Sequence, residues 1–249
     1  MGMKATDLNQ AMNYVEDGYL LELDTTKKEI LTMKNRKKTL RILMAAALIA
    51  LMAVTAVAAE GLNLFSLESG RSKTYRSYAE VEQAITESGM QDLHVPQTFA
   101  NGFRFQSVQV QDVNGRDEQG SHVLTYRELE AEYRSDAGQQ LYLSIHPALE
   151  SLGEHEGDPT AVRSLGDVTM RYYLDHYRLV PGDHTLTEAD KQWQSQPGNF
   201  ISYGSDKVEQ QDVAFLCWNQ GGVQYTLMDM GAALRQDTLF AIAQEMLAG

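Results

Sequence analysis

The chain has 249 residues, with 21 Lys and Arg against 34 Asp and Glu, for a formal net charge of −13. Hydrophobic residues make up 43% and charged residues 22%, too apolar for wholesale disorder and long enough to bury a real core. This acidic balance argues against sequence-independent binding to nucleic acid, and the lone Cys217 excludes an intramolecular disulfide or a multi-cysteine zinc site.

Residues 1–33 form the first segment. Leu8, Met12, Val15 and Tyr19 recur at i, i+4, i+7 and i+11, one stripe of an amphipathic helix that Asp7 is placed to cap. A helix this short builds no core by itself, so the stripe needs a partner. It is a candidate docking face for a cytoplasmic protein; the alternative is a tail resting on the membrane surface.

Residues 34–60 hold a basic flank and an apolar run. Lys34, Arg36, Lys37, Lys38 and Arg41 precede residues 42–59, which are Leu, Ile, Met, Ala and Val interrupted only by Thr55. At about 1.5 Å per residue these 18 positions span about 27 Å, close to the roughly 30 Å hydrocarbon core of a bilayer. The positive-inside rule then predicts one transmembrane helix in the cell membrane, the N-terminus cytoplasmic and everything after Glu60 extracytoplasmic. A cleaved secretory signal is the rival, because Ala56-Val57-Ala58 offers a small-x-small site. Against it, a long segment precedes the apolar run where a short basic region belongs. Divided at the span, residues 1–41 carry eight basic and six acidic side chains, a net +2, and residues 60–249 carry 13 and 28, a net −15.

Residues 61–76 are polar and read as a linker, leaving 77–249 as an extracytoplasmic domain. Ser77 with Glu80 makes a capping box for a helix through Val81, Ala84 and Ile85, stopped at Gly89. Strand patterns follow. Phe103, Phe105, Val108 and Val110 alternate with a slip near Ser107 that predicts a bulge. Residues 123–133 are ambiguous, with Leu124, Tyr126 and Tyr133 favouring a strand. Leu141, Leu143 and Ile145 alternate, as do Val168, Met170, Tyr172 and Leu174, with Tyr173 and Tyr177 on the opposite face. Thr187 is placed to cap a turn of helix. Residues 213–218 and 223–228 are β-rich and flank Asn219-Gln220-Gly221-Gly222, a hairpin signal, and 236–247 close the chain as an amphipathic helix. Helix, antiparallel strands and a closing helix predict an α+β fold, an antiparallel sheet with flanking helices, preceded by the transmembrane helix.

The chemistry-bearing residues form no recognisable catalytic, cofactor or metal set. His94, His122, His146, His155, His176 and His184 include no i, i+4 pair, and HExxH, GxSxG, P-loop and GxGxxG patterns are all absent. Glu154-His155-Glu156-Gly157-Asp158 is the densest ligand-like cluster and reads as a solvated acidic loop. Cys217 lies in an apolar strand, where a small buried thiol is the expectation. Tyr177 and Trp193 are the candidates for an exposed aromatic patch.

The segment from Asp7 to Asp17, followed by a basic run and a span, resembles the N-terminus of single-pass envelope proteins of Gram-positive anaerobes. Val95-Pro96-Gln97-Thr98-Phe99-Ala100-Asn101-Gly102-Phe103, then Trp218, Gly222 and Tyr225, then Ile242-Ala243-Gln244, are similar to segments of the domain of unknown function 4367 family. The resemblance implies an anti-sigma-like or sporulation-associated envelope protein that signals across the membrane, and it brings no catalytic residues. The expected function is therefore binding or sensing without catalysis, with the bilayer, a cytoplasmic protein and an extracytoplasmic ligand as partners. The alternatives are an anchored extracytoplasmic hydrolase and a passive structural or spore-envelope component.

Overall fold

The structure, a computed structural model, describes residues 66–248 apart from 118, 150–154, 156 and 157. The docking stripe at Leu8, Met12, Val15 and Tyr19, the basic flank and the apolar run 42–59 lie outside the described residues. Among the described residues no helix is long and apolar enough to cross a membrane.

Strand β1 (Ser66–Tyr75) leads into a 3-10 turn (Tyr78–Glu80) and α1 (Val81–Ser88). The predicted capping box forms, with the Ser77 N–H donating to Glu80 Oε2 at 3.1 Å. Gly89 ends the helix at φ 76°, a left-handed conformation that favours glycine. Strands β2 (Arg104–Arg116), β3 (His122–Arg134) and β4 (Gln140–Pro147) form an antiparallel meander. The predicted bulge is present, as a register shift between Phe105 and Ser107. Then come β5 (Ala161–Leu165), β6 (Val168–Val180), α2 (Glu188–Gln194), β7 (Asn199–Tyr203), β8 (Glu209–Gln220), β9 (Val223–Met230) and α3 (Gln236–Ala248). The β8–β9 connection is tighter than expected. Only Gly221 and Gly222 remain outside the strands, with φ 60° and 79°, as a two-residue type I′ turn requires.

The strands form one nine-stranded sheet in the order β1-β2-β3-β4-β9-β8-β6-β5, with β7 also beside β6. Two expectations are corrected. The sheet is mixed rather than antiparallel, because residues 181–198 carry the chain back so that β7 runs parallel to β6. The linker 61–76 is largely strand β1. An edge strand is held by backbone bonds to one neighbour and needs no apolar periodicity, so a polar sequence serves.

Helices α1 and α3 pack on one face of the sheet. The core there includes Leu129, Tyr133, Leu143, Leu227 and Phe240, all 0% exposed. The segment from Val95 to Phe103 closes one end of it: the Phe99 N–H donates to the Phe103 carbonyl at 2.9 Å, and the Tyr133 hydroxyl donates to the Pro96 carbonyl at 2.9 Å. The Ala100 N–H then donates to the Glu245 carboxylate, tying this segment to α3. The residues that carry the resemblance here therefore do packing work.

Candidate functional site

The sheet face opposite the helices is built differently. Cross-strand register places Gln109, Glu130, Ser144, Thr226, Cys217 and Arg171 in a single row across β2, β3, β4, β9, β8 and β6. Directly paired residues share a face, so this row lies on one side of the sheet. Beside it runs a second row of Glu132, Tyr142, Met228, Phe215 and Tyr173. One polar row thus crosses the middle of the molecule next to an aromatic and apolar one.

Three glutamates, Glu128, Glu130 and Glu132, project from β3 on this face at a spacing of two. Glu128 accepts hydrogen bonds from Gln111 Nε2 at 2.9 Å and from the Ser144 hydroxyl. Glu132 accepts from Arg134 Nη2 at 2.7 Å and from Gln140 Nε2 at 3.0 Å. Glu130, between them, has no hydrogen-bond partner among the described residues. Burial, reinforced by Glu128 and then Glu132, pushes its carboxyl up to about 8, so it is protonated at neutral pH. Burial also holds the Tyr126 and Tyr142 hydroxyls well above the usual phenol range. A neutral carboxylic acid between two hydrogen-bonded neighbours can donate a hydrogen bond, or give up its proton to an arriving cation.

A second polar cluster serves the fold. Asp190 is buried and accepts from Arg178 Nη1 at 2.6 Å and from the Thr187 N–H and hydroxyl at 2.9 and 2.7 Å, and it meets His184 Nε2 at 3.2 Å. The Thr187 bonds and then Arg178 and His184 hold its carboxyl well below the usual range. Thr187 is the helix cap that the sequence predicts, and Asp190 completes its capping box. Arg178 also lies 4.6 Å from the centre of the Trp193 ring, so this cluster fastens residues 184–193 to β6.

The expected exposed aromatic patch is corrected: Tyr177 is buried and stacks on Phe200 at 5.3 Å, while Trp193 is half-buried beneath Arg178. The solvated reading of the acidic loop is corrected for His155, whose ring stacks on Tyr173 at 4.0 Å and whose Nε2 meets Asp175 Oδ2 at 3.0 Å. Cys217 is only partly buried, and its sulfur accepts from the Thr226 hydroxyl at 3.6 Å. Thr125, His122 and Asn114 cluster at the end of the β2–β3 hairpin, but both partners meet the same imidazole nitrogen, Nε2. A general base held by an orienting group uses its two nitrogens separately. Among the described residues no group of three or more His, Cys, Asp or Glu is placed to hold a metal ion.

No motif marks the glutamate row in the sequence, although its signal is present. Glu128-Leu129-Glu130-Ala131-Glu132-Tyr133 alternates strictly and marks one acidic and one apolar face. Grouping Tyr133 with Leu124 and Tyr126 hides that alternation, because Tyr133 faces the helices and Tyr126 the glutamates.

Fold and site together define an α+β domain, a mixed sheet with helices on one face and a polar row with a protonatable carboxyl on the other. No family model, curated protein or solved structure matches the chain.

Proposed function

We propose that the chain is a single-pass, membrane-anchored binding or sensing protein without catalysis, in an anti-sigma-like envelope-signalling role. In this reading residues 42–59 span the cell membrane, the stripe from Leu8 to Tyr19 docks a cytoplasmic protein, and residues 66–248 engage an extracytoplasmic ligand. The observation that carries it is the charge-free apolar run immediately behind five basic residues, which gives the chain two chemically distinct ends. The glutamate and tyrosine row supports the ligand half, since Glu130 is the one member of its trio left without a hydrogen-bond partner among the described residues. The resemblance to the domain of unknown function 4367 family supports the signalling half.

Reporter fusions before Lys34 and after Gly249 test the topology, with cytoplasmic signal expected only from the first. A cytoplasmic signal from the C-terminal fusion overturns the architecture. Co-purification from membranes with and without residues 1–33 tests the docking stripe, and identical partner sets remove it.

One observation favours the hydrolase as a second reading. A protonated Glu130 with two further carboxyl groups beside it is an arrangement that general acid–base chemistry can use. Glu128 and Glu132 each already accept two hydrogen bonds from the sheet, however, which favours binding. Turnover of an envelope glycan that Glu130→Gln abolishes would reverse this order.

A further inference from the structure

The sheet ends in two edges that differ in how they meet solvent. An exposed strand edge is a template for pairing with another chain, and charges and bulges are the usual means of blunting it. The β1 edge has both: a register break between Ser69 and Ser72, and the exposed Arg71 and Lys73. At the other end, β5 and β7 share one side of β6, β5 along Val168–Tyr172 and β7 along His176–Val180. The β7 half is sealed, with Asn199, Ile201 and Ser202 buried.

Among the described residues no strand pairs with the outer side of β5, and apolar side chains are exposed there. Four of its five residues are exposed. Among the described residues the exposed large hydrophobic side chains are Val162 at 53%, Leu165 at 43% and Val208 at 53%. Two of them are on β5, and Val208 adjoins Glu209, which pairs with Leu179 near the other end of β6. The one charge on β5 does not guard the edge: the Arg163 guanidinium is drawn onto α3, with Nη2 at 2.5 Å from Asp237 and Cζ 4.2 Å from the Phe240 ring centre.

We infer that the β5 edge is a strand-addition site for a short, extended segment of a partner protein that carries basic residues at its ends. Backbone pairing supplies affinity in this mode, and flanking side chains select the segment. The selection here is electrostatic. Asp158 and Asp167, both exposed, flank the edge just before and just after β5, and residues 60–249 carry a net −15. A second copy would bring the same acidic surface to the same edge and be repelled, whereas a basic segment would be attracted. At about 3.4 Å per residue the five residues of β5 match a partner stretch of about five residues, with its basic ends over the two aspartates.

The test uses the full chain in detergent micelles and a synthetic heptapeptide, Lys-Val-Thr-Val-Thr-Val-Lys, read by amide hydrogen exchange. Protection is expected in the segment 159–167, with at least tenfold weaker binding when both peptide lysines are glutamates, and none when alternate peptide amides are N-methylated. In the protein, Val162→Lys should weaken binding at least tenfold and leave the melting temperature unchanged, because Val162 is a surface residue. No protection at 159–167 with millimolar peptide, or equal binding of the glutamate-ended peptide, overturns the inference. So does protection of β5 that rises with protein concentration in the absence of peptide, since it would make a second copy the occupant.

Discussion

Leu143 and Ser144 are neighbours on β4 and point to opposite sides of one sheet, and their surroundings differ in kind. Leu143 pairs with Ala131 and Leu227, all three 0% exposed, beneath α1 and α3. Ser144 pairs with Glu130 and Thr226 and donates to Glu128. One face is stabilised by removing apolar area from water, which does not depend on proton concentration. The other sets a row of polar groups, one of them a carboxyl with a raised pKa, beside a buried aromatic and apolar row. Burial is enough to hold the first face; the second contains a carboxyl that folding makes harder to ionise.

The largest effect expected is on the helix side. Leu143→Ala removes buried methyl groups from a site closed on every side and should cost about 2–5 kcal/mol in denaturant unfolding. The loss should be the same at about pH 5 and about pH 8, since its strand partners Ala131 and Leu227 are apolar. A loss that changes with pH would break the division between the faces.

Glu130→Gln tests the other side. The carboxyl is raised from 4.5 to about 8 on folding, chiefly by burial. Below 4.5 both folded and unfolded chains carry the proton, and ionisation does not affect stability. As pH rises from 4.5 towards 8 the unfolded chain ionises while the folded one holds its proton, so stability falls across that window. The neutral amide cannot ionise. Glu130→Gln should therefore flatten the decline and raise stability near pH 8 by up to about 4 kcal/mol, with little change near pH 4. A decline that persists in the variant would place its origin elsewhere.

The sequence carries the first face almost completely and the second hardly at all, for a physical reason. Burial against helices imposes a pattern: Leu141, Leu143 and Ile145 announce β4, and the capping box at Ser77 with Gly89 announces α1. Polar β1, five-residue β5 and five-residue β7 carry no comparable pattern, because edge pairing is made by backbone groups that every residue has. The parallel placement of β7 depends on where residues 181–198 pack, a tertiary outcome. The row from Gln109 to Arg171 draws one residue from each of six strands, and only sheet order and register bring those six together. Even Glu130 alternates visibly with Leu129 and Ala131, but its raised ionisation depends on burial that a sequence pattern does not measure.

A smaller effect separates support from function within the polar face. Ser144→Ala removes a donor to Glu128, which keeps its bond from Gln111. The expected cost is about 1 kcal/mol, the net worth of one hydrogen bond. A cost several times larger would mean that Glu128 cannot be re-satisfied by water, and that this part of the face is as closed as the core.

The smallest effect is expected at Thr226, and it bears most directly on why the polar row exists. Among the described residues its hydroxyl donates only to the Cys217 sulfur, at 3.6 Å, a weak acceptor at long range. Valine has the same shape, keeps the β-branched fit to a strand and removes one buried polar group. Thr226→Val should therefore change unfolding free energy by about 0.5 kcal/mol or less, in either direction. A near-neutral result would show that stability does not require polarity in the middle of the row, as the proposed binding role of this face predicts. A cost above about 2 kcal/mol would instead make the row structural throughout, and the case for binding on this face would then rest on Glu130 alone.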